Sequence, residues 1–468
     1  MTGSNTKKQA SGAKKKTPPV EETFDPFRAD AYVDHLADLD EVQEVIASED
    51  ILNEFGVLLV PKGARIKKSI ADRLMGHKVE KPVHQVVSLS GCLNERTLLE
   101  RFRALINAQN DLKELHKANN YDDRLAHLCT CAKLPLALLQ KLTVMMERLP
   151  KIFHRSLFSA WFGSMLANEI EPSPDFVYNT FLAGLFHDLG LLHIDPHIVN
   201  KTKDVTEEEW MTLKTHINIG KQLVEGLNMV DPSVLRAIDE HHERCDGTGY
   251  PFHKNERKLG RHGQLIALAE TVHALRFIQF GTSGKDLGDI KPYLMLNQRT
   301  YFYHSYKAAL TVISRAELPS NITLKKSDFE RIKAGLIVRN TNLDALQSQF
   351  RLLYQYLGHT SIQTITAPLL VSINNSLKTI QRSGVVGTDI GQWLESTQPE
   401  EFAEIALEMQ ELTAMQYELL FNLRRSFRFF EEFFGRKIKN TNSVYDLLKD
   451  LSEEISGHIY GAWATLED

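Results

Sequence analysis

The segment LFHDLGLL, residues 185–192, places a histidine and an aspartate side by side within an apolar run. Moving an ionised carboxylate from water into a protein interior is costly, so a buried Asp188 needs a cation, a hydrogen-bond network or a proton. A plain hydrogen bond between His187 and Asp188 would meet this need, and so would a metal ion. The segment by itself leaves both interpretations open.

The size and composition of the chain predict a multidomain globular protein. With 468 residues it exceeds the length at which one hydrophobic core keeps growing, so two or three domains are expected. A net charge of −5 gives no general reason to expect DNA or membrane binding. The apolar runs are far shorter than the roughly 20 residues that cross a bilayer, and the first residues do not resemble a signal peptide. We therefore expect a cytoplasmic protein, and cysteines without a Cys-x-x-Cys pair agree with a reducing compartment.

Hydropathy patterns divide the chain into regions of different character. Residues 1–24 have almost nothing to bury and predict a disordered tail. Residues 45–88 contain strand-like segments such as GVLLVPKGARI around a helix-like segment, which predicts a small α+β module. Helical spacing predicts a connector over 95–150, an all-helical central domain over 151–315 and a helical bundle over 328–468. The predicted fold class is therefore mainly α. The apolar faces of the C-terminal helices are expected to be buried within the bundle; the alternative is that they bind a second copy of the chain or a protein partner.

Histidines gather in the central domain, in separate segments of the sequence. Imidazole nitrogens and carboxylate oxygens are the ligands of Fe, Mn, Ni and Zn hydrolytic centres. Adjacent residues on a helix point about 100° apart, so two ions, roughly 3.5 to 4 Å from each other, serve neighbouring ligands better than one. The pattern favours a binuclear centre over a plain His–Asp hydrogen bond. The candidate ligands are His154, His187, Asp188, His216, His241, His242 and Glu270.

The segment DGTGYP, residues 246–251, predicts a tight turn after a helix. Gly247 and Gly249 supply the backbone freedom, and Pro251 stiffens the exit. Tyr250 offers a ring for stacking or a hydroxyl group for a phosphate. A turn with a purely structural role is the alternative.

These motifs together resemble a known family. HDLG at 187–190, His216 on a following helix, HHERCDGTGYP at 241–251 and the LIALAETVHAL helix are similar, in order and spacing, to the HD-GYP branch of the HD-domain phosphohydrolases. The resemblance covers about 145–315. It implies an all-helical HD-type metallohydrolase domain that hydrolyses the bacterial second messenger cyclic di-GMP to pGpG or GMP. The module at 45–88 also resembles the small N-terminal domain of some members.

The resemblance assigns roles to individual residues. All the candidate ligands would bind metal, with Asp188 bridging and with His187 and Asp188 central to catalysis. The family usually has Asp where Glu270 stands. Members with a third metal have a Glu where this chain has Pro150, so two divalent ions are predicted, Fe or Mn, with Zn or Ni as alternatives. The residues predicted to bind the substrate, cyclic di-GMP, are Tyr250, Gly247, Gly249 and Lys291.

Several positions depart from the family pattern. Leu191 replaces the lysine of HDxGK, His273 stands where an Asp is expected, and Leu294 replaces a basic residue. Loss of one preorganised donor to a developing oxyanion costs about a hundred- to a thousandfold in rate. The sequence thus predicts a slow metal-dependent cyclic di-GMP phosphodiesterase. The alternatives are a catalytically degenerate cyclic di-GMP receptor or protein-interaction module, and a hydrolase of another phosphorylated nucleotide.

Overall fold

The computed structural model describes residues 24–131, 134–201, 205–226, 230–281, 283–358, 363–437 and 443–464. Across these ranges the secondary structure is mainly helical, and strands form only small sheets near the N-terminal end, which confirms the predicted mainly α fold class. The predicted disordered tail, 1–24, lies outside the described residues except for its last residue. No helix within the described ranges is long and apolar enough to span a bilayer.

The N-terminal part combines short strands with two helices. Its elements are α1 (Ala31–Leu39), β1 (Val45–Ala47), β2 (Ile51–Leu52), β3 (Leu58–Val60), α2 (Lys68–Met75) and β4 (Val87–Leu89). β1 pairs with β4 and β2 with β3, both antiparallel. The second strand expected within GVLLVPKGARI is reduced to a single bridge between Arg65 and Ile46. The Asp30 side chain caps α1 by accepting a hydrogen bond from the Tyr32 amide.

The next region is helical, as its spacing predicts. It consists of α3 (Glu95–Asn107), α4 (Asn110–Ala118), α5 (Asp122–Cys131) and α6 (Leu136–Arg148). α3 begins with a reciprocal capping box between Asn94 and Thr97, which satisfies amide groups that have no partner within the helix. Buried leucines on α3 and α6 face the helices that follow.

The central helices carry the candidate ligands. They are α7 (Pro150–Ile170), α8 (Pro174–Phe186), α9 (Pro196–Val199), α10 (Glu207–Lys214), α11 (His216–Glu225), α12 (Pro232–Glu240), α13 (Arg261–Ala274), α14 (Lys291–Leu296) and α15 (Tyr303–Ser314). Pro150 occupies the first position of α7, where the missing N–H has no helical partner to lose. α7 and α8 approach closely, since a Cβ atom on Gly184 would lie 2.5 Å from the backbone of Ala160. The HDLG segment follows directly from the end of α8.

The C-terminal region is a set of long helices with a core of its own. The helices are α16 (Phe329–Gly358), α17 (Gln363–Ser383), α18 (Thr388–Ser396), α19 (Phe402–Lys437) and α20 (Ser443–Ala464). One cluster of buried side chains extends from Tyr32 to Ile313, and a second is formed mainly by the C-terminal helices. Leu296 of α14 belongs to the second cluster and Ala414 of α19 to the first. The two cores therefore meet where α14 packs on α19.

Candidate metal centre

The ends of helices bring most of the candidate ligands together. His187 and Asp188 follow α8, His216 begins α11, and His241 follows α12. Gly190 makes this assembly sterically possible, because a Cβ atom there would lie 2.0 Å from the backbone oxygen of His216. A glycine in HDLG thus allows α11 to pack directly on this segment. As a result, Nε2 of His216 lies 3.7 Å from Oδ1 of Asp188.

The ligand atoms form two groups that share Asp188. We call the first the imidazole group; it contains Asp188, His216, His241 and His242, and its ligand atoms all lie within 4.8 Å of one another. The second, the carboxylate group, contains His187, Asp188 and Glu270 within the same limit. Nε2 of His216 and Nε2 of His241 are 3.3 Å apart, the approach expected of two nitrogens directed at a common point. Both groups are buried, with His242 and Glu270 at their rim.

The backbone fixes the orientation of three of the imidazole rings. Each Nδ1 lies within hydrogen-bond distance of a carbonyl oxygen one turn earlier: His187 with Gly184 at 2.9 Å, His216 with Leu213 at 2.5 Å and His241 with Ile238 at 2.6 Å. Because a carbonyl oxygen only accepts, Nδ1 donates, and Nε2 of a neutral ring is left as the ligand atom. This is the arrangement that metal-binding histidines use.

Buried polar atoms in both groups have no hydrogen-bond partner among the described residues. They are Nε2 of His187, Oδ1 of Asp188 and Oε2 of Glu270. An unpaired buried carboxylate oxygen is costly, and a divalent cation satisfies it. Oδ1 of Asp188, together with the three imidazoles near it, therefore fits a metal ion in the imidazole group, whereas Nε2 of His187 and Oε2 of Glu270 belong to the carboxylate group.

A guanidinium group lies in the carboxylate group. Nε of Arg155, on α7, donates to Oδ2 of Asp188 at 2.7 Å, and Nη2 donates to the same oxygen. Nε also lies 3.7 Å from Oε1 of Glu270. Nε2 of His187 is 3.1 Å from Oδ2 of Asp188 and 3.4 Å from Oε1 of Glu270. The carboxylates of this group therefore already face protein cations.

The pKa directions separate the two groups. Burial lowers the pKa of His216, lowers that of His241 to about 3 and lowers that of His242 well below its usual range. These rings are neutral at pH 7, the state that a metal ligand requires. Burial also disfavours the charged form of His187, but the adjacent Asp188 and Glu270 carboxylates raise its pKa to about 10.

The structure places His154 outside both groups. Its Nδ1 lies 3.0 Å from Nε2 of His273, and its ring packs edge-on against Phe277 with centroids 4.7 Å apart. Arg155, the next residue on α7, points about 100° away and reaches Asp188 instead. The structure thus does not bring His154 to the other predicted ligands, and its role as a ligand stays a prediction.

The DGTGYP turn folds back onto the end of α12. A Cβ atom on Gly249 would lie 2.4 Å from the Glu243 backbone, and Gly247 has a φ of +79°. Tyr250 consequently stacks on His242, with centroids 4.6 Å apart and planes inclined by 23°. The turn predicted from the sequence therefore lies beside the candidate ligand His242.

Two further residues extend this stack to the protein surface. The Trp210 ring lies edge-on to Tyr250 at 5.3 Å, and Nζ of Lys214 is 5.3 Å from the Trp210 ring and 5.4 Å from that of Tyr250. This pair was not predicted from the sequence. The available signal was the spacing of Trp210 and Lys214 by one helical turn just before His216.

Comparison with known proteins agrees with the geometry of the site. The model of the HD domain family matches residues 137–301. This region is an HD domain of the HD-GYP family. A cyclic di-GMP phosphodiesterase of Thermotoga maritima is 32% identical over 25% of this chain and 32% of its own length. A cyclic di-GMP phosphodiesterase of Pseudomonas aeruginosa is 30% identical over 24% and 27%.

A 3′3′-cGAMP-specific phosphodiesterase of Vibrio cholerae is also similar to this chain. It is 26% identical over 43% of this chain and 45% of its own length. The chain therefore spans less than half the length of each of these curated relatives. These similarities identify the family of the domain and do not extend to the whole chain.

The residues that depart from the HD-GYP family pattern lie in different parts of the domain. Leu191 is 5% exposed and Leu294 fully buried, so both belong to the hydrophobic core. His273 is buried beside His154. Lys291 is exposed at the start of α14, and its role in substrate binding stays a prediction.

Proposed function

We propose that the protein is a metal-dependent phosphodiesterase that hydrolyses a cyclic dinucleotide, with cyclic di-GMP as the substrate and pGpG or GMP as the product. The observation that carries the proposal is the imidazole group, whose buried ligand atoms lie within 4.8 Å of one another. The similarity to two cyclic di-GMP phosphodiesterases and a 3′3′-cGAMP-specific phosphodiesterase supports the substrate class. Fe or Mn are the proposed ions, with Zn or Ni as alternatives, because His and carboxylate ligands suit all of them.

A bound divalent cation supplies Lewis acidity toward a phosphoryl oxygen and activates water as the nucleophile. The residues of the chain contribute position and charge. The δ-nitrogen hydrogen bonds hold His216 and His241 in one orientation, so that little reorganisation accompanies the reaction. Tyr250 and Trp210 provide aromatic faces for a base, and Lys214 beside them provides a charge for a phosphate.

The direct test is hydrolysis by purified protein loaded with Fe²⁺ or Mn²⁺ under anaerobic conditions. Chromatography should show pGpG or GMP formed from cyclic di-GMP, and the His241→Ala variant should lose both bound metal and product. The matched control is His197→Ala, which removes an exposed histidine on α9. Absence of product with every metal would exclude the proposed activity, and parallel reactions with 3′3′-cGAMP would show whether another cyclic dinucleotide is preferred.

The burial of Leu191 and Leu294 favours a second candidate, a cyclic di-GMP receptor without turnover. Both positions, where the family has basic residues, contribute aliphatic side chains to the core and no charge to a phosphate. Calorimetry would distinguish the candidates, since a receptor binds cyclic di-GMP without forming product. A homodimer or protein partner on the C-terminal helices and a cytoplasmic location stay predictions.

A further inference from the structure

We propose that Arg155 takes the place of one metal ion, so that this centre holds a single divalent ion in the imidazole group. The inference deepens the proposed function, on which it rests, and replaces the two ions expected from the sequence by one ion and one guanidinium group. It is carried by the position of Arg155 between the carboxylates of the carboxylate group.

Arg155 holds one carboxylate oxygen that a second ion would need and lies beside another. Two of its nitrogens donate to Oδ2 of Asp188, and its Nε lies 3.7 Å from Oε1 of Glu270. Nε2 of His187, the remaining candidate ligand, faces the same two oxygens at 3.1 and 3.4 Å. A divalent ion bound by these three residues would therefore lie against a guanidinium group that stays charged throughout the working pH range.

The imidazole group is arranged in the opposite way. It provides three imidazoles and Oδ1 of Asp188, an oxygen that has no hydrogen-bond partner among the described residues. The other oxygen of Asp188 is the one that Arg155 holds. Asp188 therefore faces a metal position on one side and a protein cation on the other, a bridge between one ion and one arginine.

α7 determines which side chain fills the second position. His154 is turned toward His273, with Nδ1 and Nε2 3.0 Å apart, while Arg155 faces the carboxylates. A histidine at 155 would direct an imidazole toward Asp188 and Glu270, where it would add the ligand that the carboxylate group lacks. The side chain of Arg155 is 26% exposed, so its ability to move aside for a second ion is open to measurement.

Metal content of full-length protein provides the test, with Mn²⁺ as the probe ion. Mass spectrometry of the wild type should give about one ion per chain, and Arg155→Lys, the matched control that keeps a cation, should give the same. Arg155→His should raise the content to about two ions per chain. Electron paramagnetic resonance should show the six-line signal of isolated Mn²⁺ in the first two proteins and exchange-coupled pairs in Arg155→His.

Each outcome separates this inference from the proposed activity. A coupled pair of ions in the wild type would overturn the role of Arg155 and leave the phosphodiesterase proposal intact. About one ion in Arg155→His would also overturn it, because the arginine would then not be what limits occupancy. One isolated ion in the wild type without hydrolysis of cyclic di-GMP would support the inference and remove the activity. Circular dichroism shows whether Arg155→His is folded; if it is not, the wild-type stoichiometry and spectrum decide.

Discussion

The N-terminal and the C-terminal parts of the chain both contact the HD-GYP domain close to its candidate ligands. The two contacts use different side chains. On the N-terminal side, Oδ2 of Asp30 lies 2.7 Å from Nδ1 of His193, and Nε2 of the same ring lies 3.1 Å from Nζ of Lys141 within the domain. On the C-terminal side, Nη2 of Arg425 in α19 lies 3.0 Å from Oδ2 of Asp246, the first residue of the DGTGYP turn. Both contacts join distant parts of the sequence to motifs of the site.

The two contacts differ in whether their charge can change. Lys141 is 1% exposed and lies 4.0 Å from the centroid of the Tyr32 ring, and burial, opposed by Asp30, lowers its pKa to about 7. Arg425 keeps its charge at any pH that the protein tolerates. The comparison indicates a contact that responds to pH beside HDLG and a permanent one beside the turn.

The permanent contact also shapes the turn. Oδ1 of Asp246 accepts hydrogen bonds from the Thr248 amide at 3.0 Å and from the Thr248 hydroxyl at 2.5 Å, while Arg425 holds its other oxygen. Phe429, one turn further along α19, stacks on His253 with centroids 4.5 Å apart. One face of α19 therefore supports both ends of the segment that presents Tyr250.

The largest expected effect is on the pH dependence of stability through Lys141. Its pKa is about 7 when folded and near 10.5 when unfolded, so between these values the unfolded chain binds more protons. The free energy of unfolding should therefore rise with pH from about 7 to 10, by up to about 1.4 kcal/mol per pH unit from this residue. Urea denaturation across this range should give a more positive slope in the wild type than in Lys141→Met, because the raised pKa of His187 contributes an opposite slope to both proteins.

Lys113→Met, which changes an exposed lysine of α4, is the control and should retain the slope. A slope in Lys141→Met equal to that of the wild type would show that Lys141 does not titrate in this range. The contacts of Lys141 and Arg425 would then not differ in their response to pH.

A smaller effect is expected from Arg425→Ala. The change leaves the largely buried Asp246 carboxylate without its cation, which should cost about 1–3 kcal/mol of stability. It should also weaken cyclic di-GMP binding by roughly tenfold through Tyr250, measured by calorimetry. Arg428→Ala, on the exposed side of the same helix, should change neither quantity. Unaltered affinity in a destabilised Arg425→Ala protein would limit α19 to a structural role.

His253→Asn tests the second contact of α19 and should have a still smaller effect. His253 has a φ of +52°, a conformation that Asn tolerates, so the substitution removes the ring that stacks on Phe429 and the 3.3 Å contact of its Nδ1 with the Gly247 carbonyl oxygen. The free energy of unfolding should fall by about 0.5–1.5 kcal/mol, with metal content unchanged. A loss of stability equal to that of Arg425→Ala would move the main support of the turn from Asp246 to this stack.

The combination of Lys141→Met and Arg425→Ala should show the smallest effect, a coupling energy below about 0.5 kcal/mol in a double-mutant cycle at pH 8. The two contacts share no residues, so their effects on stability should add. A larger coupling would mean that the two contacts are energetically linked.

The sequence was informative where a function depends on local spacing. His187 and Asp188 are adjacent, and the DGTGYP turn marks the helix end at which His241 and His242 stand, whereas His216 begins α11 without a side-chain cap. The geometry of the shared centre depends on how α8, α11 and α12 approach one another. That approach includes the contact at Gly190, which only the structure shows.

The rotation of α7 could not be predicted. His154 and Arg155 are adjacent, and either could face Asp188 when only the sequence is known. The choice depends on how α7 packs against α8, where Gly184 meets Ala160. The pairing of Arg425 with Asp246 spans 179 positions and leaves no local pattern. The sequence likewise did not show whether the Leu191 side chain lies in the core or faces the candidate site, because burial is a property of the folded chain.

Gly190 has a consequence for how mutational data on this site should be read. A Cβ atom there would lie 2.0 Å from the His216 carbonyl oxygen and 2.8 Å from the Gly220 amide nitrogen. Every substitution, including alanine, therefore displaces the helix that carries the candidate ligand His216. A saturation scan of residue 190 would show the same intolerance to substitution as a metal ligand, although this position contributes no ligand atom. Selection for metal binding would therefore conserve a glycine that leaves space as strictly as it conserves a histidine that binds the ion.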